Sequence, residues 1–387
     1  MKKFTFMVAA LLCAAAATLT SCSDNDDPNG GGSNNGQTAA LLDYSAENAD
    51  NWHNYSVQVA RLLANDATRL NEAWTVSYNG GAAFADIFRN HSGNGYTSPL
   101  NCIEEMIDGC ADIANEVGTA KIGDPYDLYK AGRTEEALYA VESWYSWHSR
   151  EDYTNNIYSI RNTYYGSLDG TVATASMASK VAAENPALDT DVRARIDAAA
   201  KAILAIPQPF RNNIDSSEAS AAMTACAELD QVLSNDLKAF FENLDSTHTS
   251  ALSAIVTNYV DAVVLPTYSS LKERNAALLN AVQYLSANRT DAAFEAACQA
   301  WLSAREPWEK SEAFLFGPVD ALGLDPNMDS WPLDQDAIVN HLKSGVFTDL
   351  DWSDSDSDDT IEAVQNIRGF HTLEFLLFKD GKPRTVR

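Results

Sequence analysis

At 387 residues the chain is long enough for two domains, and 45% hydrophobic residues exclude a disordered protein. Its 27 Lys and Arg against 54 Asp and Glu leave a net charge of −27, a field that repels phosphate backbones and excludes a nucleic-acid partner. Only 12 prolines and 19 glycines, beside abundant alanine, disfavour an all-β sandwich and favour helices.

Residues 1–21 read as an export signal. Lys2 and Lys3 precede an apolar stretch, 4–19, that is too short and wrongly flanked for a stable membrane span. It ends in Leu19-Thr20-Ser21-Cys22, which resembles the bacterial lipoprotein box, with Cys22 as the residue that receives lipid. An ordinary secretory signal is the alternative. Residues 22–40 then form a flexible tether, with no apolar side chain between 23 and 38. Asp24, Asp26 and Asp27 resemble the acidic surface-export signal of some Gram-negative lipoproteins. The expected place is the outer membrane, at the cell surface or on its periplasmic face, held by the lipid anchor. Cys102, Cys110, Cys226 and Cys298 show no CxxC spacing, so a zinc knuckle or a thioredoxin-like site is not supported. A Cys102–Cys110 bridge and buried free thiols both remain open.

The body is a succession of helical patterns. Tyr55, Val59, Leu62, Leu63 and Ala67 recur at three- and four-residue steps in the first long segment. In 188–206 the same step joins Val192, Ile196, Ala199, Ile203 and Ile206, with Asp189 and Asp191 at the positive end of the helix dipole and Pro207 and Pro209 as a stop. Leu278, Val282 and Leu285 repeat the pattern later. No segment alternates long enough to demand a strand. The expected fold class is all-α, two four-helix-bundle-like domains, spanning 41–240 and 241–387.

Two segments carry chemistry. Arg305, Glu309 and Glu312 stand at i, i+4 and i+7, so one helix would project all three to one side, with Trp301 and Trp308 near it. A solvated stripe with an Arg–Glu pair is the structural alternative. His371 and Glu374, three apart amid Phe370, Leu373 and Phe375–Phe378, can act as paired metal ligands or as a histidine oriented by a carboxylate. A chance pair is the alternative there.

Gly369-Phe370-His371-Thr372-Leu373-Glu374 resembles the GxHxxE motif of the imelysin-like proteins. Trp301–Trp308, Ser311–Phe314 and Trp331-Pro332-Leu333-Asp334 resemble three further stretches of that family, in order. Chain order departs from most of its members, since only 13 residues follow Glu374. Residues 52–89 and the segments at Ser143–Ser146 and 156–162 look like what usually comes after the motif. The chain is therefore similar to a circularly permuted imelysin, with the old termini joined near Glu242 to Ser250. Permutation is tolerated when termini lie close together at the surface.

The resemblance implies two helical bundles with the motif near their interface. His371, Glu374, Arg305, Glu309 and Glu312 are expected to converge there, with Ser143 and Ser146 from the other bundle and with Gly369, Trp301, Trp308 and Trp331 as support. The leading function it implies is iron acquisition in the cell envelope, with a metal ion or an iron-containing ligand as partner and an outer-membrane transporter as a further one. No cofactor is fixed; imidazole and carboxylate suit iron and zinc alike. A metallopeptidase is the second reading, although no HExxH is present. A structural or partner-binding surface lipoprotein is the third.

Overall fold

The computed structural model describes residues 42–353 and 355–386; the signal, Cys22 and the tether lie outside them. The longer helices, numbered in chain order, are α1 (Ala49–Thr75), α2 (Pro99–Glu116), α3 (Ser149–Tyr165), α4 (Pro186–Ala205), α5 (Ser217–Gln231), α6 (Thr249–Tyr259), α7 (Leu265–Asn288), α8 (Asp291–Glu309), α9 (Gln335–Ser344) and α10 (Gly369–Leu377). Strand among the described residues is confined to two antiparallel pieces, β1 (Phe378–Lys379) and β2 (Lys382–Pro383). The fold is all-α.

Local chemistry explains the helix starts. Ser98 accepts the N–H of Asn101 at 3.2 Å ahead of Pro99, and Asn185 does the same for Leu188 ahead of Pro186. Both place an oxygen acceptor just before a proline whose missing N–H costs nothing there. The helix expected over 188–206 thus runs two residues earlier. Its apolar stripe of Val192, Ile196, Ala199 and Ile203 is buried, as are Tyr55, Val59, Leu63 and Ala67 of α1.

Two groups of four helices result. In one, α2, α3, α4 and α5 pack together. In the other, α1 lies along α7, α7 against α8, and α10 against both α1 and α8. The expected border at 240/241 therefore does not separate the bundles: α1, from the first half of the chain, packs with helices of the second. The described residues form one compact unit. Three helices continue into wider π-helical turns, at Val117–Lys121, Val232–Leu237 and Val260–Val264. Within the first, Gly118 comes so close to α5 that a Cβ would lie 2.9 Å from that of Cys226. Cys102, Cys110, Cys226 and Cys298 are all buried free thiols; no bridge joins the first two.

Candidate functional site

The site grows from α8 and α10. Pro307 interrupts the hydrogen bonding of α8 one turn before its end, and the freed carbonyl of Ser303 accepts from the Arg274 guanidinium at 2.9 Å. Arg305, Trp308 and Glu309 project inward from this last turn. At the start of α10, Gly369 adopts φ +88°, and a Cβ there would meet the carbonyl oxygen of Met328 at 2.6 Å. Only glycine allows that approach without strain. It brings His371 beside Asp329, the last residue of the short helix Leu324–Asp329.

Arg305 is the hub. Its guanidinium bonds Asp329, Glu142 at 2.5 Å and Glu309 at 2.6 Å, and lies 3.6 Å from Asp152. His371 places Nε2 3.0 Å from Asp329 and 3.4 Å from Glu142, and Nδ1 3.1 Å from Glu374. Arg305, Glu309, His371 and Glu374 are fully buried. Lys121, carried by the first π-helical turn, reaches Glu142 at 3.2 Å. Asn156 of α3 donates to Glu309 at 2.6 Å, and the Trp308 indole donates to Asp329 at 2.6 Å.

The charges set each other's protonation. Burial acts upward on Glu142, but Lys121, His371 and Arg305 hold it far below the usual carboxylate range. Asp329 is likewise lowered: burial is outweighed by Arg305 and His371. Burial and Arg305 both work against a charged imidazole, yet Asp329 and Glu142 prevail and keep His371 protonated well above its ordinary value. Both ring nitrogens then carry hydrogen, so the Arg305–His371 approach of 3.2 Å is a contact between cations. Burial pushes Asp152 up to about 7, Glu309 up to about 8 and Asp325 up to about 7. It raises Glu312 well above its ordinary value.

A cavity of about 770 Å³ opens onto this cluster, with Glu116, Lys121, Glu142, Glu312, Asp325 and Asp329 in its wall. Two triads present ligand atoms within 4.8 Å of one another: Glu142, Asp329 and His371, and Glu309, Glu312 and Asp329. They differ chemically. Arg305 reaches all three members of the first, bonding both carboxylates and touching the imidazole, whereas in the second it bonds Glu309 and Asp329 but not Glu312. In the second, Glu312 is 7% exposed and has no hydrogen bond or ion pair among the described residues, and Lys121 acts on it only through its field.

The residues expected from the sequence do converge, with corrections. Glu312 is not on the α8 stripe, because α8 ends at Glu309; it comes from the 3-10 turn Glu312–Phe314 and still faces the cavity. The Ser143 hydroxyl is engaged by Asp152 at 2.5 Å. Ser146 contributes its backbone N–H, to Glu374 at 2.7 Å, rather than its hydroxyl. The tryptophans act as struts: Trp301 donates to the Phe370 carbonyl at 2.9 Å, and Trp331 to that of Ala140 at 2.9 Å while its ring meets His371 edge-on. Sequence reasoning missed Glu142, Asp152, Asp329, Lys121 and Asn156. Three had a signal: Glu142 precedes Ser143, Asn156 opens the segment 156–162, and Asp329 stands two residues before Trp331.

The sequence model of the imelysin family (Peptidase M75) matches residues 28–256 and 264–386. The chain belongs to the imelysin family. A solved structure described as an imelysin peptidase from Bacteroides ovatus is 62% identical, covers 90% of this chain and 100% of its own, and superposes with a TM-score of 0.89. Iron-regulated protein A of Synechococcus elongatus is 36% identical over 135 residues, 34% of each chain. This imelysin thus spans about a third of the length of the curated relative it matches. An iron-regulated protein A precursor from Parabacteroides distasonis is 34% identical over 44% of this chain and 51% of its own, with a TM-score of 0.41.

Proposed function

We propose that this imelysin binds a transition-metal cation, iron foremost, as an envelope-anchored component of iron acquisition. One observation carries the reading: Glu312, buried and without a bonding partner, faces the acidic cavity beside Glu309 and Asp329. A buried carboxyl without a partner is costly unless it holds a proton or meets a cation. Oxygen ligands at the wall of an open cavity suit a hard or borderline cation, free or as a small chelate. The name of the Synechococcus relative, iron-regulated protein A, supports iron over other metals. The lipoprotein box at Leu19–Cys22 and the acidic tether support an outer-membrane anchor, with a transport partner to receive the cargo.

The peptidase reading is favoured by the Bacteroides relative's description, but it fits the geometry less well. A catalytic zinc needs three protein ligands and an open position, and among the described residues the one triad that includes an imidazole has Arg305 against all three of its members. The test is to measure bound metal by elemental analysis after loading with ferrous or ferric iron, beside a casein-cleavage assay. Binding that Glu312→Gln abolishes, without cleavage, is expected. Chelator-sensitive casein cleavage would establish the peptidase instead, and neither activity would leave a structural lipoprotein.

A further inference from the structure

The segment 141–148, between the short helix Thr134–Ala140 and α3, lines two cavities. Glu142 belongs to the acidic one, but Trp144 and Tyr145 line a second, of about 190 Å³, together with Tyr139, Arg211, Lys379, Arg384 and one carboxylate, Asp380. Three of these side chains end in buried atoms without a partner: Trp144 Nε1, Tyr145 OH and Arg211 Nε. Trp144 is 5% exposed and Tyr145 is 2% exposed. One orphaned donor is an ordinary blemish; three on side chains that line one cavity can be met together by an acceptor.

The cations in the wall make the same point. Lys379 and Arg384 share Asp43, at 2.8 and 2.7 Å. Arg211 has less: a long contact to exposed Asp380 at 3.9 Å and one bond to the Trp144 carbonyl at 3.5 Å. Its guanidinium lies 3.6 Å from the centre of the Trp144 ring, which orients it without neutralising it. Burial pulls its pKa below the ordinary arginine value, as for a cation short of counter-charge. All this stands on a chain with a net charge of −27.

We propose that this cavity binds a small oxyanion, a carboxylate or phosphate group, between the Arg211 guanidinium, the Trp144 indole N–H and the Tyr145 hydroxyl. An oxyanion is acceptor-only and suits a fork of N–H donors beside a hydroxyl. At roughly 30 Å³ per water, the volume takes a group of a few heavy atoms, an inorganic ion or a small organic acid, not a peptide.

Calorimetric titration of the metal-free protein with sodium phosphate, and separately with sodium acetate, at constant ionic strength tests this. It involves none of the residues assigned to the metal, so it stands or falls apart from the iron reading. One saturable site per chain is expected for at least one of the two anions. Phosphate alone would identify a phosphate group, acetate alone a carboxylate, and both a site for any small oxyanion. Arg211→Gln should weaken binding about tenfold or more, the equivalent of one charge-assisted hydrogen bond. Tyr145→Phe should weaken it with little change in fold, which keeps the test decisive if the arginine variant is unstable. Arg133→Gln, at the rim of the acidic cavity, should leave it unchanged. No saturable heat with either anion, or affinity untouched by both Arg211→Gln and Tyr145→Phe, overturns the proposal and leaves the donors to water.

Discussion

Arg305 Nη2 lies 2.6 Å from Glu309 Oε1, one turn further along the same helix, and neither side chain reaches solvent. The pair is not isolated, because Glu142 and Asp329 draw on the same guanidinium from two other elements. Removing one partner of such a buried network strands the charges that remain. Arg305→Met should therefore lower stability by about 3–5 kcal/mol, read from urea unfolding at neutral pH. Arg305→Lys should recover part of that loss, since it restores the charge but not the fork. A full-strength Arg305→Met protein would mean that the carboxylates are already neutralised without it.

Stability should be greatest near pH 5 and fall towards pH 8. Asp152, Glu309 and Asp325, pushed up to about 7, 8 and 7, keep protons in the folded state that the unfolded chain releases near pH 4. Wherever the folded state binds more protons, stability drops as pH rises. His371, raised well above its ordinary value, adds to that fall above about pH 6.5. Glu142 and Asp329, lowered, act oppositely: their contribution is lost on acidification below about pH 4. Melting temperature against pH, with Glu309→Gln as the variant that should flatten the alkaline limb, checks the sign. A rise from pH 5 to 8 would contradict it.

Gly369→Ala should destabilise by about 1–3 kcal/mol from the positive φ alone, with the clash at Met328 added. The variant should also loosen Asp329 from His371, so under the proposed function weaker iron binding should accompany the lower unfolding midpoint. Unchanged stability would show that Leu324–Asp329 can withdraw freely.

Cys22→Ala should release the chain from the membrane fraction of its host. No described helix is long and apolar enough to cross a membrane, and lipid on Cys22 is the anchor expected from the sequence. Retention in the membrane pellet would require another attachment.

Much of the fold is legible because helices announce themselves locally. The stripe in α4 and its proline stops are visible in twenty residues of sequence. Which bundle a helix joins is not local, and α1 shows why the split at 240/241 fails: its apolar face fits α7 and α10 from far along the chain. The site divides in the same way. His371 and Glu374 are one turn apart, and Arg305 and Glu309 are one turn apart, so spacing exposes both pairs. Asp329 and Glu142 come from a short helix and an irregular segment without periodicity, and only the closed fold brings them to Arg305. Glu312 was found for a partly wrong reason, since the helix thought to carry it stops three residues earlier.

The segment 142–147 has one further consequence. Glu142 holds the acidic cluster, Trp144 and Tyr145 line the basic cavity, and Ser146 is tied to Glu374, all within five residues that include a positive φ at Ser143. With a stretch this short as their common partition, the two cavities share a wall. Should an occupant on one side displace that wall, thermodynamic linkage would make the exchange symmetrical: whatever factor a bound anion applied to cation affinity, the cation would return to the anion.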